Sequence, residues 1–117
     1  MAAPNIVNVT TITGKTAVQA VGTSATAIVT NSASSGKVFK VNALLVSNVD
    51  GVNNADITVD LYRSSTAYHL AKTVVVPADA TLDVLAKAIY LEEGDSLRLT
   101  ANAASDLEAI CSYEEIS

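Results

Sequence analysis

The stretch Ile57-Thr58-Val59-Asp60-Leu61-Tyr62 alternates apolar and polar side chains with a period of two. Successive side chains of a strand point to opposite faces, so this pattern describes a half-buried β-strand. Ile57, Val59 and Leu61 are expected inward, with Thr58 and Asp60 facing away. The same alternation returns in Leu97-Arg98-Leu99-Thr100-Ala101. It returns again in 107–113, with Leu107, Ala109, Cys111 and Tyr113 on one face. Val38 to Val49 reads as a longer strand with Phe39, Val41, Ala43 and Leu45 inward. Leu44 and Val46 then make its second face apolar towards the end. Thr26–Thr30, Thr73–Val76 and Thr81–Leu85 complete the set, and Pro77 ends one of them because it cannot donate to a ladder. Ser34-Ser35-Gly36, Asp50-Gly51 with Asn53-Asn54, and Glu93-Gly94-Asp95 are turn-forming clusters between these runs.

No apolar stripe of helical spacing persists over three turns. Residues 78–88 imitate a helix in Ala and Leu content, but Thr81, Asp83 and Val84 favour a strand and a turn. Short strands at this spacing make an all-β, antiparallel β-sandwich, jelly-roll-like or, alternatively, immunoglobulin-like. At 117 residues the chain is one domain's worth, with residues 23–117 as the sandwich and 1–22 as a separate segment.

Composition removes several classes. The chain is 50% apolar with 4% aromatic and 16% charged residues, so Ala, Val, Leu and Ile carry its hydrophobicity and disorder is not expected. No run approaches the roughly 18 apolar residues of a membrane span. Met1-Ala2-Ala3-Pro4-Asn5 lacks the basic and apolar regions of a secretory signal, so production without export is expected. A single cysteine, Cys111, excludes an intrachain disulfide framework and a Cys-based zinc cluster.

Charge is split along the chain. The net charge is −5, yet residues 1–49 hold three lysines and no acid. All 12 acids, against four bases, lie in 50–117. Lys15, Lys37 and Lys40 are too few, and too poor in aromatic company, to neutralise a nucleic-acid backbone. Within the acid-free front, Ile6, Val7, Val9 and Ile12 alternate loosely with Asn and Thr, and Gly14 and Gly22 bound the piece Thr16–Val21. This front is either an edge strand with a hairpin in the same sandwich or an extended arm that adds a strand to a neighbour. Ile6, Val7, Val9 and Ile12 are its candidate partner contacts.

Catalytic constellations are missing. His69 is the only histidine, so neither a histidine metal pair nor a Ser-His-Asp set can form, and its apolar neighbours place it on a sheet face. Cys111 lies on the apolar parity of its strand, as a small core hydrophobe does. Glu92-Glu93 and Glu114-Glu115 are adjacent pairs that diverge on a strand and read as solvated turns and termini. The loop Asp50 to Asp56 offers Asp50, Asn53 and Asp56 as weak candidates for hard oxygen ligation of calcium. It lacks the EF-hand spacing, and the same residues are common turn formers. No cofactor, bound metal or catalytic residue is expected, and the chain is read as a non-enzyme.

Four segments carry a resemblance. Ser35-Gly36-Lys37-Val38-Phe39-Lys40-Val41-Asn42 is followed by Ala55-Asp56-Ile57-Thr58-Val59-Asp60-Leu61. Near the end stand Tyr90-Leu91-Glu92-Glu93-Gly94-Asp95-Ser96-Leu97-Arg98-Leu99 and Ser112-Tyr113-Glu114-Glu115-Ile116-Ser117. Over residues 26–117 the chain resembles small virion structural proteins of tailed, cyanophage-type bacteriophages. The resemblance implies a non-enzymatic β-sandwich component of a virion, assembled in the host cytoplasm. The expected role is a head decoration (cement) protein on the capsid lattice, a homo-oligomer with a trimer favoured, contacting the major capsid protein or other virion proteins. A tail, neck or fibre component and a carbohydrate- or calcium-binding module are the alternatives.

Overall fold

The computed structural model describes residues 4–117. It contains nine strands and no helix among the described residues: β1 (Ile12–Ala20), β2 (Thr26–Thr30), β3 (Val38–Asn48), β4 (Ala55–Arg63), β5 (Thr66–Val76), β6 (Thr81–Asp83), β7 (Ile89–Leu91), β8 (Ser96–Ala101) and β9 (Leu107–Ile116). They form two antiparallel sheets. The first runs β1-β9-β3-β6, with β7 on β3 as well; the second runs β2-β8-β4-β5. The β-sandwich expected from the alternating pattern is the fold observed.

The core lies between the sheets, where alternate residues of each strand meet. Ile57 and Val59 of β4, Leu97 and Leu99 of β8, and Leu107, Ala109 and Cys111 of β9 are all buried, as their parity requires. Phe39 and Tyr113 stack at one end of the core with ring centroids 5.6 Å apart.

The long strand β3 departs from the expected parity. Phe39 and Val41 are inward, but then Leu44 and Val46 are buried while Leu45 is exposed and Ala43 only half-buried. The ladder to β9 slips between Val41 and Ala43, so Asn42 is an extra residue. A bulge of one residue transfers every later side chain to the opposite face. The strand expected over 81–85 is also shorter, ending at Asp83; Val84 still donates its N–H to the Leu44 carbonyl at 2.9 Å.

Two buried asparagines fix the loops at opposite ends of β3. Asn31 donates from Nδ2 to the carbonyls of Lys37 (2.9 Å) and Leu91 (3.0 Å) and accepts from Ser35 Oγ (2.5 Å). Asn48 donates to the carbonyls of Asn53 and Val76, both at 2.9 Å, and accepts from the Asp50 N–H. Each side chain donates to two carbonyls at once, and a buried polar group left unpaired costs about 1–3 kcal/mol. The sequence reading did not single out either residue; the only signal is an Asn placed directly after a Thr or Ser at a strand end.

Candidate functional site

The outer faces and edges of the two sheets carry the chemistry available to a partner. On the second sheet, Asp60 is expected to face away from the core. It does so, yet it is buried, because Arg98 of the neighbouring strand lies across it. Arg98 grips both carboxylate oxygens, Nε to Oδ1 at 2.9 Å and a terminal nitrogen to Oδ2 at 3.2 Å. The same guanidinium sits 3.8 Å from the centroid of the Tyr62 ring. The hydrogen bonds donated to Asp60 push the Arg98 pKa up, against the opposite pull of burial.

A second ion-pair group joins the end of β4 to the turn between β7 and β8. Arg63 Nε and a terminal nitrogen reach Asp95 at 2.8 and 2.6 Å, and Glu92 at 2.7 Å. Burial pushes the Asp95 carboxyl up, but the Arg63 bonds and the Glu92 N–H outweigh it and hold the carboxyl below its ordinary range. Glu115, expected to be solvated, is instead mostly buried between Lys15 (3.0 Å) and Lys37 (3.1 Å). Burial acts upward on its pKa and the two lysines downward, with a net lowering. These contacts are brackets between strands rather than a catalytic set.

The outer face of the first sheet is different. The registers place Val18 of β1 opposite Ile110 of β9, and Ile110 opposite Leu45 of β3. These three form one row across three strands, with Val18 74%, Ile110 48% and Leu45 36% exposed. A shallow hollow of about 340 Å³ opens beside the row, bounded by Val18, Ala20, Ser47, Glu108 and Ile110. Sheet faces turned to solvent are ordinarily polar, so an apolar row there is the less usual arrangement.

The strand edge next to the row is open. Among the described residues β1 pairs only with β9. Thr11 and Ser117 exchange both of their backbone bonds, at 2.8 and 2.9 Å, and Val21 donates to the Leu107 carbonyl at 2.9 Å. In an antiparallel ladder such pairs alternate, so the odd residues of β1 bond to β9. The N–H and C=O groups of Ile12, Gly14, Thr16, Val18 and Ala20 therefore point to the free edge.

The expected partner contacts lie near this edge. Ile12 opens β1 and is exposed, Ile6 and Val7 are exposed in a turn before it, and Val9 is half-buried. The turn is closed by the Asn8 N–H on the Asn5 carbonyl (3.0 Å), and Thr10 and Thr11 both donate to the Ser117 carbonyl. Of the candidate calcium ligands, Asp50 and Asn53 are brought together in one turn, and Asp56 stands apart on β4. The Asp50 carboxylate is occupied by the N–H groups of Val52 (2.8 Å) and Asn53 (3.3 Å) and by the Asn53 side-chain amide (3.1 Å). Asp56 lies on β4, where its N–H donates to Asn102 Oδ1. Among the described residues no group of three His, Cys, Asp or Glu side chains could hold a metal ion. His69 is exposed on the face of β5, and Cys111 is buried with its thiol pushed up to about 11 by burial. No helix among the described residues is long and apolar enough to cross a membrane.

Comparison with known proteins defines the fold class. No family model and no curated protein matches the chain. A solved structure of Bacillus endospore appendages, described as a novel family of disulfide-linked pili, is similar over 92% of this chain and 88% of that one. Its identity is 14% and its TM-score 0.53. Two structures of a pentameric capsid protein isolated from metagenomic phage sequences align over 86% of this chain, at 20% and 18% identity and TM-scores of 0.45 and 0.43. The chain spans about three fifths of those two proteins, 62% and 60%. The first likeness defines a shared β-sandwich fold.

Proposed function

We propose that the chain is a non-enzymatic structural protein of a virion, acting by assembly with other protein copies rather than by chemistry. One observation carries this reading: an apolar row on a sheet's outer face runs up to an open strand edge, beside an N-terminal turn that exposes Ile6 and Val7. Surfaces of this kind serve protein association. The titratable side chains in contact are instead used as brackets between strands. The strand order reads as a jelly roll in which β6 and β7 are one interrupted strand, an architecture common in capsid proteins.

The finer form of the proposal is a head decoration protein on a capsid lattice, a trimer contacting the major capsid protein. Ile6, Val7, Val9 and Ile12 belong to the contact, and the segment 1–22, whose β1 is the edge strand of this chain's own sheet, presents it to a neighbour. Disulfide linkage, described for the endospore pili, does not transfer: the one cysteine of this chain is buried in the core. The test is a quantitative protein inventory of purified particles before and after tail removal. Presence at high copy in tailless heads supports decoration. Loss with the tails assigns the chain to a tail, neck or fibre, and absence from particles overturns the virion reading. Deleting residues 1–13 is expected to abolish incorporation; retained incorporation removes the arm from the contact.

A further inference from the structure

We propose that the free edge of β1 pairs with β1 of a second copy, antiparallel about a two-fold axis through Thr16, joining two five-stranded sheets into one. The four sheet edges differ in a way that singles out β1. β2 has five residues and a slip between Ala27 and Val29. The opposite edge of the first sheet is divided between β6 and β7, with three residues each. β5 is long but bulged, and it carries Lys72 beside Thr73, whose φ of 48° breaks the extended run. Short, charged or bulged edges are the ordinary devices that prevent strand pairing. β1 has none of them: nine residues run in unbroken register, and its only charge, Lys15, is held by Glu115.

Gly14 is the second observation. It lies inside this regular strand, its φ is not positive, and a Cβ there would meet nothing within 4 Å. Neither backbone conformation nor packing within the chain calls for glycine. A glycine inside a strand often marks a place where another backbone approaches closely.

Charge and parity select the register. Because the even residues face the free edge, a bonded two-fold pairing over the whole strand places Thr16 opposite Thr16, Gly14 opposite Val18 and Ile12 opposite Ala20. Lys15 then faces Ala17. Moving the two-fold axis to Lys15, a slip of two residues between the strands, sets Lys15 against Lys15, and like charges directly opposite are unfavourable. In the selected register the exposed Ile12 of one copy meets Ala20 and lies diagonal to Val18 of the other, so the most exposed apolar side chains of β1 cover one another. The strand that makes the contact belongs to the acid-free front of the chain, so β1 itself brings no carboxylate to the seam. A two-fold contact of this kind is isologous and closes on itself. It stands apart from the virion proposal, because it joins two copies whether they are free or belong to separate trimers.

Cross-linking tests the register directly. Thr16→Cys places two thiols opposite one another at a bonded pair, where Cα atoms are roughly 5.5 Å apart and a disulfide forms without distortion. Val18→Cys puts the equivalent thiols four residues out of register. Under mild oxidation T16C is expected to give covalent dimers about tenfold or more faster than V18C. Thr16→Pro removes an outward N–H that β9 does not use, so it should abolish the wild-type dimer in sedimentation velocity while keeping the wild-type melting profile. A wild-type monomer at the highest soluble concentration overturns the proposal, as does T16C that cross-links no faster than V18C. A dimer that disappears when residues 1–11 are deleted, with T16C uncross-linked, assigns the edge to the partner's N-terminal segment and also overturns it.

Discussion

The two outer faces of the sandwich solve the same problem in opposite ways. On the second sheet the central strands β4 and β8 carry charges that are buried under one another: Asp60 beneath Arg98, with Tyr62 beneath the same guanidinium. That face is covered at its centre, and its long edge strand β5 is broken by a bulge. On the first sheet the corresponding row is Val18, Ile110 and Leu45, left open to solvent beside an unbroken edge. A closed face contributes to the stability of the isolated chain. An open apolar face contributes little until something covers it. The difference teaches where to separate folding from assembly: substitutions on the second sheet should unfold the chain, and substitutions on the first should leave it folded.

The largest effect is expected at Arg98. Replacing it with Ala leaves the Asp60 carboxylate buried without its partner, a change that costs about 3 kcal/mol or more. Chemical denaturation should show it, and Asp60→Val combined with Arg98→Val should recover part of the loss, since no charge is then stranded. A loss below that of an ordinary surface substitution would show that the face is not closed. Asp95→Asn comes next, at about 2 kcal/mol at neutral pH, because Arg63 and the Glu92 N–H then face a neutral acceptor. Its pH dependence has a definite sign. The folded Asp95 carboxyl lies below its unfolded value of 3.8, so its contribution is complete above that value and is lost as pH falls through the folded one. Glu115, also lowered, behaves in the same way from 4.5 downward. Melting temperature should fall below pH about 4 in the wild type, and less steeply in D95N; parallel profiles would break the assignment.

The second sheet was the more legible of the two. Leu97, Leu99 and Ala101 keep strict alternation because β8 pairs with β4 without a slip, so a period of two survives from sequence to fold. β3 shows the limit. The run Ala43-Leu44-Leu45-Val46 is apolar at every position, and a bulge at Asn42 leaves no periodic mark, so parity could not be read there. Asp60 was placed on the right face but not seen as buried, because its cover comes from Arg98, 38 residues away. The exposed apolar row was the least legible. Val18, Leu45 and Ile110 are far apart in sequence, and only the order β1-β9-β3 makes them neighbours. The same order decides that β1 has a free edge, which no local pattern encodes.

Between these extremes lies the bulged edge. Thr73 is a β-branched residue at φ 48°, held there by its N–H on Thr58 Oγ1 at 3.0 Å. That region is costly for a branched side chain and free for glycine. Thr73→Gly should therefore stabilise the chain by about 0.5–1 kcal/mol, after allowing for the greater freedom of glycine in the unfolded state. The strain is then an investment in blocking β5 as a pairing edge. A destabilised T73G would mean that the Thr73 side chain itself holds the bulge.

The smallest effect is expected at the centre of the open row. Ile110 lies on β9 between β1 and β3, so a substitution there tests the first sheet's outer face without touching an edge. Ile110→Thr keeps the branched side chain that strands favour and replaces one apolar branch with a hydroxyl that water can reach. In the dilute monomer its stability should stay within about 0.5 kcal/mol of wild type, as for other exposed positions. Its consequence should lie in association instead: the row loses its middle member, so solubility should rise, while T16C cross-linking through the edge persists. A loss comparable to that of R98A would mean that Ile110 is already covered within a single chain. The two faces would then no longer differ in kind.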